Sequence, residues 1–169
     1  MEIRRLEPED AVAYRALRLR GLAEHPDAFT SSCEEESQQP LEATLRRLAA
    51  GGDESVYGAF VDGAMAGVAG LGRERRTKNR HKATVFGMYV APEYARRGVG
   101  AALLGHLIAS ARTVTGLEQL VLTVTDSNVP AMRLYEQLGF RSFGVEPRAI
   151  RVSETYYGKA HMILQLEPT

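Results

Sequence analysis

The stretch of residues 85–104 constrains the fold of this chain more than any other part of the sequence. It predicts an apolar strand, then a basic bend with Arg96 and Arg97, then a glycine pair that opens an amphipathic helix. The first N–H groups of a helix have no acceptor within it, and the helix dipole adds about half a positive charge there. The bend therefore predicts a binding site for a phosphate or pyrophosphate, where Gly98 and Gly100 let a ligand approach the backbone.

The composition is typical of one soluble globular domain, which we predict to span residues 1–169. Apolar residues make up 44% of the chain and charged residues 25%, both ordinary values. The 21 basic and 21 acidic side chains give a net charge of zero, so we expect neither a nucleic acid nor a membrane surface as a partner. The longest apolar runs are too short to span a membrane.

Cysteine and histidine usage points away from disulfides and metals. The single cysteine, Cys33, cannot form an internal disulfide, which favours a reducing cytoplasm. The first five residues lack the apolar stretch of a signal peptide. The four histidines are scattered without the spacing of metal ligands, so we predict no metal site.

Periodicity and turn residues predict an alternating order of elements: a strand, two helices, three strands, a helix, a strand, a helix and two strands. Asp62 and Gly63 separate two strand-forming runs and predict a tight hairpin. The first helix has an apolar stripe at Val12, Ala16, Leu19 and Ala23. The strands are predicted at residues 3–6, 56–61, 65–71, 85–90, 120–124, 140–145 and 160–166. The helices are predicted to begin near Pro8, Pro40, Gly98 and Pro130. Residues 29–36 and 146–159 are predicted as polar connections.

Three interpretations of the glycine bend compete: a plain turn, a nucleotide-binding loop of a known type, and a family resemblance. A plain strand-to-helix turn would use glycines for steric reasons alone. A dinucleotide-binding fingerprint fails on spacing, because its third glycine would fall at Leu103. A P-loop is excluded, because the chain has no G-x-x-x-x-G-K-[ST].

The third interpretation is a family resemblance. Residues 95–100, Ala-Arg-Arg-Gly-Val-Gly, resemble the signature R/Q-x-x-G-x-G/A of the GCN5-related N-acetyltransferase (GNAT) superfamily. Residues 126–140 resemble that family's N-x-x-A-x-x-L-Y-x-x-x-G-F element, and the predicted order of elements fits over nearly the whole chain. Ala95 departs from the family's Arg or Gln. Because backbone N–H groups supply most of the grip on the pyrophosphate, we expect the site to survive with reduced affinity.

The resemblance implies a mixed α/β sandwich, the acyl-CoA N-acyltransferase fold. Its central twisted sheet is mostly antiparallel, contains one splayed pair of parallel strands and carries helices on both faces. Acetyl-CoA, the implied cosubstrate, would lie between the strands that end at Val90 and Val124, with no metal. The unpaired backbone of Met88, Tyr89 and Val90 would bind the pantetheine arm like an added strand. The pyrophosphate would bind the backbone amides of Arg96, Arg97, Gly98, Val99, Gly100 and Ala101.

The resemblance also assigns a catalytic group. Tyr135 matches the family tyrosine that gives a proton to the departing CoA thiolate, although a core tyrosine on the apolar face of its helix is the alternative. A backbone N–H near Met88 or Tyr89 would stabilise the oxyanion. Asn128 either contacts the cofactor or caps the helix that follows it.

The acceptor side of the site is less constrained, because members of the family use different bases. Glu34, Glu35, Glu36 and His81 are candidates for the base, and the glutamates would attract a cationic amine. An exposed acidic loop is the alternative for each glutamate. Residues 146–159 would form the other wall of the acceptor pocket.

We therefore predict an acetyl-CoA-dependent N-acetyltransferase that acts on a primary amine of a small molecule or a peptide. The alternative is a non-catalytic acyl-CoA-binding module with the same fold, which Ala95 favours and which Tyr135 and Asn128 oppose. Strands at the C-terminal edge of the sheet would allow a homodimer. The acceptor amine, the base and the oligomeric state stay open.

Overall fold

One seven-stranded sheet organises the chain, and the computed structural model describes residues 1–49 and 51–166 of it. The strands are β1 (Glu2–Arg5), β2 (Glu54–Val61), β3 (Ala64–Arg73), β4 (Lys82–Val90), β5 (Gln119–Thr125), β6 (Arg141–Val152) and β7 (Thr155–Gln165). Their order in the sheet is β1-β2-β3-β4-β5-β7-β6. Strands β4 and β5 run parallel, and the other neighbouring pairs are antiparallel.

Helices cover both faces of this sheet. They are α1 (Ala11–Glu24), α2 (Cys33–Gln38), α3 (Leu41–Leu48), α4 (Val99–Arg112) and α5 (Val129–Gln137). Leu103, Leu104 and Leu107 of α4 are fully buried against one face, while Tyr14 and Leu17 of α1 pack on the other. The predicted fold class, a mixed α/β sandwich with a mostly antiparallel sheet, is confirmed. Among residues 1–49 and 51–166, no helix is long and apolar enough to cross a bilayer.

Strands β4 and β5 separate soon after they meet. Within the described residues, their pairing is confined to Lys82–Thr84 opposite Gln119–Val121. Beyond that point, β4 stays paired with β3 as far as Val90, and β5 stays paired with β7 as far as Thr125. The two strands therefore follow different partners and leave a gap in the sheet, as the splayed pair predicted.

The turn between β2 and β3 confirms the Asp-Gly prediction. Asp62 has φ 50° and Gly63 has φ 80°. Two successive residues with positive φ define the hairpin turn whose twist matches that of the flanking strands.

Two connections predicted as polar segments are regular structure. In the first, α2 begins at Ser32, whose side chain accepts the Glu35 N–H at 3.1 Å, while the Glu35 carboxylate accepts the Ser32 N–H. This reciprocal cap stabilises a helix that has no buried side chain and hence no apolar stripe. In the second, residues 146–159 continue β6 and β7 as a long hairpin. Most β6 side chains are exposed, so the strand lacks the alternation that would reveal it.

The buried face of α1 also differs from the predicted stripe. Val12 is 69% exposed, and Ala16 and Ala23 are exposed as well. The helix instead buries Ala11, Tyr14, Leu17, Arg18, Gly21 and Leu22. The predicted stripe is wrong because it counted apolar residues alone, whereas this face includes an arginine, a tyrosine and a glycine.

Two glycine-to-alanine changes are expected to move stability in opposite directions. A Cβ at Gly70 on β3 would overlap the Phe86 ring, whereas a Cβ at Gly105 in α4 would meet nothing within 4 Å. We expect Gly70→Ala to lower the free energy of unfolding by about 1–2 kcal/mol through overpacking. We expect Gly105→Ala to raise it by about 0.5–1 kcal/mol, because alanine restricts the unfolded chain. Urea denaturation of both variants measures the difference, and equal shifts would contradict the packing described for Gly70.

Candidate functional site

A β-bulge lies on β4 where it borders the gap. The register between β3 and β4 shifts so that Val68 pairs with Tyr89 and Gly70 with Phe86, which leaves Gly87 and Met88 outside the regular ladder. Gly87 has φ 63°, a conformation that glycine adopts without strain. A bulge of this kind bends the strand and redirects its backbone groups. The bulge therefore turns part of β4 toward the opening in the sheet.

A cavity of about 600 Å³ occupies the gap between β4 and β5. Its walls include Arg18 of α1 and Phe29 on one side and Asn128 and Tyr135 on the other. Phe29 packs with the core beneath α1, and Tyr135 packs with the core beneath α4. The cavity therefore passes through the sheet and connects its two faces. The strands contribute residues 82 and 84–88 from β4, 121–124 from β5, 143 from β6, and 159 and 161 from β7.

Tyr135 stands in the wall of this cavity. It is 7% exposed, and its ring packs edge-on against Phe140 with the ring centroids 5.9 Å apart. In the part of the chain that the structure describes, its hydroxyl has no hydrogen-bond partner, and it is not sealed from solvent. Burial raises the pKa of Tyr135 to about 12. The phenol is therefore protonated at neutral pH and has a proton free to donate.

Asn128 both lines the cavity and caps α5. Its side-chain oxygen accepts the Ala131 N–H at 3.3 Å. Pro130 in the first turn fits this cap, since proline has no N–H to satisfy. The cap occupies the side-chain oxygen of Asn128, so its NH₂ group is the part that remains for a ligand.

The bend before α4 exposes a row of backbone amides. Arg96 and Gly98 have positive φ values of 58° and 74°. Within residues 1–49 and 51–166, no protein acceptor takes the N–H groups of residues 96–101. Val99 is buried in the core and anchors the helix start, while Ala101 is exposed. The amides are thus free at a fixed helix N-terminus, the arrangement that favours an anion.

This bend lies next to the cavity. A Cβ built at Gly100 would lie 3.3 Å from Met88 Cε and 3.4 Å from Leu134 Cδ2, and both of those residues line the cavity. Val90 packs between Gly67 and Gly100. A ligand that binds the amides of residues 96–101 can therefore extend along the end of β4 into the gap.

Tyr89 points away from the cavity. Its ring packs against Gly21 of α1, and its hydroxyl donates a hydrogen bond to Glu24. Its contribution to a ligand in the gap is therefore limited to its backbone, as the sequence interpretation required. Met88, in contrast, lines the cavity with its side chain.

The structure places the candidates for the base differently with respect to the cavity. Glu36 lines the cavity, and its carboxylate pairs with Arg18 at 3.1 Å. Glu34 and Glu35 lie outside the cavity walls, and Glu35 is held by its cap on Ser32. The His81 side chain also lies outside the walls.

Two buried cations at the cavity were not predicted. Lys159 on β7 is 4% exposed, its Nζ donates to the Ala28 carbonyl at 3.1 Å, and burial lowers the pKa of Lys159. Arg18 is 9% exposed and lies on the buried face of α1. A signal for Arg18 was present, because it sits at helical spacing from Tyr14 and Leu22. No comparable pattern marks Lys159, which becomes buried only when β7 pairs with β5. The part of the chain that the structure describes holds no cluster of three metal-binding side chains.

A sheet opened between two parallel strands, with free helix N-terminal amides beside the opening, defines the acyl-CoA N-acyltransferase fold. The Acetyltransferase (GNAT) family model matches residues 19–140. An acetyltransferase of the GNAT family from Streptococcus pneumoniae is 26% identical, with a TM-score of 0.87 over 98% of both chains. The Salmonella typhimurium protein yncA, solved with its cofactor acetyl-CoA, has a TM-score of 0.82 at 24% identity, covering 100% of this chain and 95% of that one.

A curated relative is similar in sequence over a shorter stretch of the chain. The [ribosomal protein bS18]-alanine N-acetyltransferase of Escherichia coli is 48% identical over 59 residues. That match covers 35% of this chain and 39% of the relative, so it spans about two-fifths of that protein's length. The chain belongs to the GNAT family of acetyltransferases, as the two sequence motifs predicted.

Proposed function

We propose that this protein is a cytoplasmic N-acetyltransferase that passes the acetyl group of acetyl-CoA directly to a primary amine of a small molecule or a peptide. The observation that carries the proposal is the cavity through the sheet, which is lined both by Tyr135 and by the bulged strand β4. Family membership and relatives that are N-acetyltransferases support the same reaction class.

The cosubstrate would lie along β4. The free amides of residues 96–101 suit its pyrophosphate, and Arg96 and Arg97 add positive charge to the same exposed bend. The backbone of Met88, Tyr89 and Val90 borders the gap and would bind the amides of the pantetheine arm. The acetyl group would then reach the part of the cavity between Met88 and Tyr135.

Three roles in the transfer fall to groups of this chain. A backbone N–H at the bulge, from Met88 or Tyr89, would stabilise the oxyanion that forms when the amine attacks the thioester. Tyr135 would donate a proton to the thiolate as it leaves, since its pKa of about 12 keeps the phenol protonated. Asn128 would hold the cosubstrate through its side-chain NH₂ group.

A non-catalytic acyl-CoA-binding module is the second candidate. Ala95 favours it, because this position lacks the Arg or Gln side chain of the family signature. Tyr135 opposes it, since a pure binding protein has no use for a proton donor in the wall of the cavity. Edge strand β6 exposes Phe143 and Val145, which would allow a homodimer in either case.

Binding and turnover test the proposal separately. We expect calorimetry to detect CoA binding, and we expect acetyl-CoA to release thiol when amine, polyamine, amino-acid and peptide acceptors are supplied. Binding without turnover of any acceptor would leave the binding module as the function. An absence of CoA binding would overturn both candidates.

A further inference from the structure

The cavity carries an excess of positive charge. Among the described residues that line it, one carboxylate, that of Glu36, faces five basic side chains. The five are Arg18, Arg47, Lys82, Lys159 and His161, of which Arg47 pairs with Glu54 at 3.1 Å and His161 lies 3.4 Å from Glu146. The basic lining that remains disfavours a polyamine and favours an acceptor that carries a negative group.

The single carboxylate is already engaged. Glu36 Oε1 lies 3.1 Å from Arg18 Nη2, and both side chains are largely buried. The Glu36 carboxylate is therefore already neutralised by Arg18, and Glu34 and Glu35 lie outside the cavity walls. Among the described residues, the cavity offers no second carboxylate to bind an incoming ammonium group.

Arg18 has a second, unsatisfied nitrogen. Its Nη1 is sealed from solvent and has no hydrogen-bond partner in the part of the chain that the structure describes. A guanidinium carries hydrogen-bond donors and no acceptor, so the only partner that can satisfy Nη1 is an acceptor atom. A buried charged donor without an acceptor is costly and is rare in folded proteins. A ligand that supplies the acceptor would remove the cost.

Gly87 and Phe29 border Nη1 and close it off from solvent in this conformation. Its neighbour on β4 is Gly87, and even a Cβ built there would lie 3.5 Å from Nη1. On the other side, the Phe29 ring lies over the guanidinium, with its centroid 4.9 Å from Cζ. Phe29 is half-buried and belongs to the segment between α1 and α2. An acceptor group would therefore reach Nη1 from the cavity, beside the bulge, by turning this ring aside.

We propose that the acceptor is an amino acid, whose carboxylate binds the Arg18 guanidinium while its amine faces the gap between β4 and β5. This inference rests on the proposed N-acetyltransferase function and narrows its substrate class. A carboxylate has two oxygens that match the planar guanidinium, and it forms the strong charge-assisted bond that Nη1 lacks. An amine without a carboxylate leaves Nη1 unsatisfied.

The position of Arg18 separates the two ligands. The amides of residues 96–101 lie on the side of α4 and Met88, whereas Arg18 packs with Phe29 on the side of α1. Arg18 would thus contact the acceptor and would not contribute to the binding of CoA. This division is what the experiment measures.

The test compares each amino acid with its own amide. Leucine and leucinamide, or phenylalanine and phenylalaninamide, differ at the carboxylate and keep the same side chain. We expect kcat/KM for the acid to exceed that for the amide by about 10-fold or more, the size of one charge-assisted hydrogen bond. An equal rate on acid and amide, or a preference for the amide, would overturn the inference and leave the acetyltransferase proposal standing.

Two variants show whether Arg18 causes the preference. Arg18→Gln is expected to abolish it while the dissociation constant of CoA stays within about twofold of wild type. Glu36→Gln is the matched control, because it removes the same ion pair but keeps the guanidinium, and it is expected to retain the preference for the acid. If Glu36→Gln abolishes the preference as Arg18→Gln does, the pair has a structural role and the inference is wrong. Where Arg18→Gln unfolds, Arg18→Lys replaces it and is expected to reduce the preference for the acid, because an ammonium lacks the planar pair of donors; an undiminished preference in a folded Arg18→Lys variant would contradict the inference.

A binding measurement makes the test independent of turnover. In the presence of CoA, we expect wild-type protein to bind N-acetylleucine at least 10-fold more tightly than N-acetylleucinamide in calorimetry. Equal binding, or no binding of either product, would overturn the inference even if CoA binds normally. Failure of the proposed function itself would instead be seen as an absence of CoA binding.

Discussion

Tyr135→Phe is expected to lower kcat by about 100- to 10,000-fold, the range for loss of a general acid, with the dissociation constant of CoA unchanged within about twofold. The substitution removes one hydroxyl that has no hydrogen-bond partner in the described residues, so it deletes the proton donor without breaking a structural bond. The ring stays packed against Phe140. Thiol release at saturating acetyl-CoA measures kcat, and calorimetry measures the binding of CoA.

Tyr57→Phe is the matched control for this prediction. Tyr57 lies on β2, outside the cavity, where its ring packs against His106. We expect this variant to keep the wild-type rate. A Tyr135→Phe variant that also keeps the wild-type rate would show that another group protonates the thiolate. Tyr135 would then be a core tyrosine.

Ala101→Glu is expected to weaken CoA binding by about 100-fold, equivalent to about 3 kcal/mol at 1.4 kcal/mol per factor of ten. Ala101 is exposed in the first turn of α4, among the amides for which residues 1–49 and 51–166 supply no acceptor. A carboxylate there would repel the pyrophosphate and compete for the same N–H groups. The same charge suits a helix N-terminus, so we expect the free energy of unfolding to stay constant or rise by about 0.3–1 kcal/mol. Calorimetry and urea denaturation measure the two effects.

Ala109→Glu introduces the same charge on the same helix. Ala109 is exposed and lies about 12 Å farther along α4 at 1.5 Å per residue. We expect its CoA affinity to match that of wild type within about twofold. Equal losses of affinity in the two variants would mean that overall charge, and not the amides of residues 96–101, governs binding.

The bend at residues 96–101 and the position of Tyr135 in the cavity wall were predictable because their determinants are local. The bend, the glycine pair and the capped helix each lie within a few consecutive residues, and their backbone geometry follows from those residues. The strand-to-helix order around residues 85–104 predicted the free amides, and the motif at residues 126–140 placed Tyr135. The gap in the sheet followed from the family resemblance, and the pairing of β4 and β5 confirms it.

The side of the cavity proposed to bind the acceptor was less predictable because its residues come from distant parts of the chain. Arg18, Phe29 and Lys159 meet only after α1 packs on the sheet and β7 pairs with β5. The three glutamates drew attention as a charge cluster, yet pairing and capping engage two of them within the protein. Charge in a sequence does not reveal which side chains are already neutralised by neighbours, and that depends on tertiary packing.

Ligand binding in the gap between β4 and β5 would make the folded fraction of this protein depend on the concentration of that ligand. Among the described residues, the edge of β4 that faces β5 has no partner strand beyond Thr84, so a ligand that bonds there finds its binding site only in the folded chain. Such a ligand at a hundred times its dissociation constant raises the free energy of unfolding by about 2.7 kcal/mol. A high concentration of that ligand in the cell would protect the chain from proteolysis, and its depletion would expose the chain. Enzyme abundance would then follow the supply of the ligand without any change in gene expression.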